Sequence, residues 1–123
     1  MTKAAPRFLL VFAAILLVVG AVVHAMAFPH AVAAIAASNL PLFFGNILKV
    51  FWLADSTTMV SLAAAFSFIA ARPQAASPAV IALIAVVPAA LAVLIYVFMG
   101  SFFAGHILVV VAAAAWLAGW QLR

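Results

Sequence analysis

A chain of 123 residues that is 73% hydrophobic and 5% charged cannot coat a water-soluble fold with polar side chains, so its solvent is lipid. The formal charge of +4 comes from basic residues scattered singly, which form no stripe and exclude nucleic acid as a partner. Cysteine is absent, which excludes disulfides, thiolate metal sites and cysteine nucleophiles. A single domain over 1–123 is expected: all-α, an integral membrane four-helix bundle.

The first helix is predicted at about 8–28. Lys3 and Arg7 before an apolar run, with His24-Ala25-Met26-Ala27 near its end, also describe a secretory signal, but the run continues to Phe28. That length meets the roughly 20 residues a spanning helix needs, so it is read as a retained span, stopped by Pro29. From Pro29 to Leu40 the chain is apolar yet too short to cross. It is read as a short interfacial helix between helices 1 and 2, because irregular backbone in lipid leaves amides unpaired.

The second spanning helix ends at Arg72-Pro73, where proline removes a backbone donor. Ser38-Asn39-Leu40-Pro41 and Gly45-Asn46 compete for its start. The earlier one gives a helix of about 46 Å, long for a bilayer, so the helix is placed at 46–71. The third, 78–99, opens on Ser77-Pro78, a cap followed by proline at the first helical position. The fourth, 102–120, follows so short a connection that these two pack as an antiparallel hairpin.

Lys3, Arg7, Arg72 and Arg123 fall on one side of an even number of spans, and the positive-inside rule makes that side cytoplasmic, with both termini inside. This bias argues against a dual-topology antiparallel dimer. Lys49 alone lies towards the outer side. Trp116 and Trp120, beside Arg123, read as an interfacial anchor. Ala115 with Gly119, and Ser61 with Ala65, are candidate packing seams of small residues.

Ionisable side chains in hydrocarbon are expensive, so Asp55, the single acidic residue, is the leading functional candidate and is placed near mid-membrane. His24 and His106 each lie about one turn inside an outer helix end. Lys49, Trp52, Asp55, Ser56 and Met59 share one broad face of the second helix at 100° per residue. A binding site made of Asp55, His24, His106, Lys49, Trp52 and Ser56 is therefore expected. Thr57 and Thr58 are read as hydroxyls bonding carbonyls one turn back, and His30 is given no role. Pro88 predicts a kink in the third helix and frees the carbonyl of Ile84; the kink is read either as shape alone or as a hinge or an exposed carbonyl facing Asp55.

No motif names a reaction and no cofactor is predicted, so catalysis is disfavoured. The expected function is binding or transport of a small ligand or proton near Asp55, His24 and His106, with the lipid bilayer and a homo-oligomer or larger membrane complex as partners. The alternative is a non-catalytic accessory subunit of such a complex. Two lesser readings are a b-type haem protein using His24 and His106 as iron ligands, and a lipid-modifying membrane enzyme with Asp55 or a histidine as acid or base.

Overall fold

The computed structural model describes residues 4–122, which form helices α1 (Ala4–Met26), α2 (Phe28–Ala36), α3 (Leu42–Ala71), α4 (Pro78–Met99) and α5 (Phe103–Gln121), with a 3₁₀ turn at Pro73–Ala75. Four segments are long and apolar enough to cross a membrane: α1 together with α2, then α3, α4 and α5.

The α1–α2 junction follows from one proline. Pro29 has no N–H to offer the carbonyl of Ala25, so the ladder breaks there. Ala27 alone leaves the helix, and Pro29 falls in the first turn of α2, where no intrahelical donor is required. Because the interruption is a single residue, α2 prolongs α1 along α3. Gly20 lies against Met59, His24 against Ser56, and Gly45 against Ile35, so each step up α1 and α2 is matched by a near-equal step down α3. The short helix read between the first two spans is thus packed on α3 rather than set apart by loops.

That packing also explains why α3 starts a turn earlier than 46. Pro41 caps it in an extended conformation, and its carbonyl accepts the Gly45 N–H at 3.1 Å. Gly45 is buried, and a Cβ there would stand 3.0 Å from Cγ2 of Ile35, so glycine lets α2 approach closely. The resulting 30-residue helix is about 45 Å long, against about 33 Å for α4 and about 28 Å for α5. The α1–α2/α3 pair therefore outreaches the α4/α5 hairpin.

Ser77 caps α4, its Oγ accepting the Val80 N–H at 3.3 Å. The helix runs on through Pro88, which is buried. It ends at Gly100, whose φ of 70° lies in the left-handed region that only glycine enters without strain. Its N–H returns to the carbonyl of Tyr96 at 3.1 Å.

In the packing, α1 lies between α3 and α5, and α4 lies against α5, whereas α3 and α4 barely meet. The bundle is consequently open along its α3/α4 side. Alanine and glycine line the contacts: Ala13, Ala14 and Ala21 of α1, Ala85 and Ala92 of α4, Ala112, Ala115, Ala118 and Gly119 of α5 are buried. Small side chains allow the backbone approach that replaces the hydrophobic effect in lipid. A Cβ at Gly119 would stand 3.3 Å from the Pro78 carbonyl oxygen, so Ala115 and Gly119 do form a seam. Ser61 is exposed and Ala65 only half-buried, so that pair is not one. Among the described residues the core holds no fully buried polar or charged residue. Outside, Phe8, Leu42, Leu83, Phe98 and Trp120 are each at least 70% exposed, a surface suited to acyl chains.

Candidate functional site

The polar groups of the helices fall into two clusters on different helix pairs. The first joins α1 to α3. Trp52, Asp55 and Ser56 stand at i, i+3 and i+4 on α3 and so share a face. The antiparallel register of α1 sets His24 opposite them. His24 Nδ1 and Ser56 Oγ are 2.9 Å apart, and the Trp52 indole N–H donates to the His24 carbonyl at 2.9 Å. The Trp52 and His24 rings stack, with centroids 4.4 Å apart and planes 17° from parallel. His24 Nε2 lies 3.6 Å from Asp55 Oδ2, within ion-pair range but beyond a hydrogen bond. The imidazole is thus fixed by the serine, the indole and its own backbone while one nitrogen remains turned to the carboxylate.

Depth along the helices gives this pair its setting. His24 is seventeen residues from Arg7, and Asp55 is seventeen from Arg72. Both distances are about 25 Å at the helical rise. The pair therefore stands towards the end of α1 and α3 that lies away from Arg7 and Arg72. The side chains are 26% and 31% exposed, so the pair is reachable from outside the protein.

The second cluster closes the α4/α5 hairpin. His106 Nδ1 lies 2.8 Å from the Tyr96 hydroxyl, and its Nε2 lies 3.1 Å from Ser101 Oγ. Gly105 makes room for this arrangement, since a Cβ there would stand 2.8 Å from Cε1 of the Tyr96 ring. Of the two histidines expected to converge on the acid, the structure brings His24 to Asp55 and gives His106 other partners, Tyr96 and Ser101. The partner that sequence reading missed is Tyr96. Tyr96 and His106 are equidistant from Ser101 at the turn, a mirror position that signals pairing across a hairpin.

Lys49 is half-buried on α3, one and a half turns from Asp55, and makes no hydrogen bond or ion pair among the described residues. It does not join the cluster. Pro88 is buried where α4 packs on α5, and α4 barely meets α3, so the carbonyl it frees does not face Asp55. Thr57, Thr58 and Ser61 each donate to the carbonyl four residues earlier at 2.8 Å, the back-bonding common to hydroxyls in helices. Trp116 donates its indole N–H to the Ala82 carbonyl at 3.0 Å and so ties α5 to α4.

These contacts limit the chemistry. Both nitrogens of each of His24 and His106 already face polar partners, in separate clusters, so the pair is not arranged to clasp a haem iron from opposite sides. Ser56 lies mid-helix, where the N–H groups around it are engaged in the α3 ladder and cannot stabilise an oxyanion. The carboxylate and imidazole can instead hold and exchange a proton, or present negative charge to a cation. Comparison with protein-family models, with curated proteins and with solved structures finds no match for the chain.

Proposed function

We propose that the chain is a multi-pass membrane protein, with both termini cytoplasmic, that binds a proton or small ligand at the His24–Asp55 pair and moves it across or along the bilayer. The supporting observation is the carboxylate 3.6 Å from an imidazole whose other nitrogen is held by Ser56. An acid in a spanning helix is retained against its insertion penalty when it works, and an imidazole beside it supplies a second proton acceptor. Ser56 and Trp52 act as positioning residues for His24, and Lys49 and His106 are left outside the site. The open α3/α4 side favours assembly with further copies or a larger membrane complex.

The test is proton uptake by the purified protein in liposomes after an acid jump. The wild type takes up protons reversibly, and Asp55→Asn takes up about one fewer per chain. Equal uptake by both would remove Asp55 from the proposal.

A further inference from the structure

Resting on that reading, we infer that the His24–Asp55 site takes an organic ammonium ion, a free amine or quaternary ammonium or the ammonium headgroup of a lipid, in competition with the proton.

Asp55 is the single acidic residue of the chain, and its nearest charge-capable neighbour is an imidazole that need not carry charge. No Lys or Arg reaches it among the described residues. A carboxylate whose partner is neutral keeps most of its negative charge available to an incoming cation. The surroundings choose the kind of cation. Phe51 precedes Asp55 by four residues and Trp52 by three, so both side chains leave α3 one turn before the acid and on its own side of the helix. Phe51 is 66% exposed, and Trp52 has one face against His24. Aromatic faces beside an anion attract weakly hydrated organic cations by charge and quadrupole together, whereas a small metal cation needs more oxygen donors than one carboxylate and one serine provide. Among the described residues no three His, Cys, Asp or Glu side chains gather into a metal site.

Competition with the proton follows from what faces Asp55. Of the elements packed on α3, α1 brings His24 to it and holds Arg7 about 25 Å away. The helix α2 carries His30, which makes no contact with Asp55 among the described residues, and the 3₁₀ turn carries no titratable group. On α3 itself Lys49 is one and a half turns off. A proton on the carboxyl removes the negative charge, and a proton on His24 supplies a rival cation 3.6 Å away. Either weakens the hold on an ammonium.

The probe is benzyltrimethylammonium, with neopentylbenzene as its uncharged carbon isostere, titrated against full-length protein in phosphatidylglycerol nanodiscs. Trp52 emission is read in a Trp116→Phe/Trp120→Phe background, and equilibrium dialysis on the wild type provides a second readout independent of those substitutions. The expected result is saturable binding of the cation above that of protein-free nanodiscs, weakened at least about tenfold by Asp55→Asn and weakened on acidification, while the isostere shows only the unsaturable partition seen in protein-free nanodiscs. At a fixed phosphatidylglycerol fraction, exchanging an uncharged glycolipid for phosphatidylcholine separates the sources without changing the surface charge: a fall in probe affinity assigns the site to a lipid headgroup, and an unchanged affinity assigns it to a soluble ammonium. Equal saturable binding of the isostere above protein-free nanodiscs, an unaltered affinity in Asp55→Asn, or an affinity independent of pH overturns the inference. Proton uptake that still depends on Asp55 in that case leaves the proposed proton site standing.

Discussion

Trp52 and His24 meet twice, the indole N–H donating to the His24 carbonyl at 2.9 Å while its ring stacks on the imidazole at 4.4 Å. The donor end fixes the last turn of α1 to α3, and the ring face fixes the rotamer of the imidazole. Both contacts are set just before the break at Ala27, so one tryptophan holds the site and the α1–α2 junction together.

Trp52→Phe keeps a ring for stacking and deletes the donor. Interhelical hydrogen bonds of this kind are worth about 0.6 to 1.7 kcal/mol in membrane bundles, which is the loss expected in a reversible unfolding titration. Trp52→Leu also removes the stack and costs about a further 0.5 to 1.5 kcal/mol. Equal losses in the two variants would show that the stacking does not stabilise the pair.

The hairpin clasp is separable from the acid site. Tyr96→Phe and His106→Ala each destabilise the α4/α5 tip, and a double-mutant cycle between them gives a coupling of about 1 kcal/mol. Proton uptake at Asp55 stays at the wild-type level in both, because no contact joins the clusters among the described residues. A loss of uptake in Tyr96→Phe would join the clusters functionally.

Two glycines give opposite expectations. Gly105→Ala drives a methyl to 2.8 Å from the Tyr96 ring and 3.2 Å from Ile95 Cγ2, overpacking that costs about 1 to 3 kcal/mol and disturbs the Tyr96–His106 bond. Gly20→Ala meets only the flexible Met59 sulfur at 3.3 Å, and alanine is the better helix former, so its thermal midpoint stays within a few degrees of wild type. A larger loss at Gly20 than at Gly105 would contradict this reading of the seams.

Orientation has a clean assay because the chain has no cysteine to give background. Asn39→Cys, in the connection between α2 and α3, is labelled in intact cells by a membrane-impermeant maleimide. Gln74→Cys, in the 3₁₀ turn, is labelled only after the membrane is opened. The reverse pattern would place both termini outside.

The helical class and the four long apolar helices are legible in composition and run length, since continuous apolar runs of about 20 residues suit helices, whereas a closed β-barrel, the other arrangement that satisfies amides in lipid, needs alternating segments of about ten. The start of α3 is not, because bilayer thickness suggests 46 while tertiary contact between Ile35 and Gly45 supports the extra turn from Leu42. Helical periodicity brings Trp52, Asp55 and Ser56 to one face, and depth alone adds His24. Depth alone does not place His106, which lies on α5 and is held by Tyr96 and Ser101 of the α4/α5 hairpin rather than turned towards α3. Neighbour choice among helices depends on which small residues interlock, and in a chain rich in alanine many seams fit the same pattern, as Ser61 and Ala65 show.

The most direct test of the His24–Asp55 site is infrared difference spectroscopy across a pH titration, because Asp55 is the single acidic side chain and its carboxyl band is identified by its loss in Asp55→Asn. A reversible carboxylate-to-acid conversion is expected in the wild type, with a midpoint that moves when His24 is replaced by Gln. A band that ignores pH, or a midpoint that His24→Gln leaves in place, would contradict the proposed site.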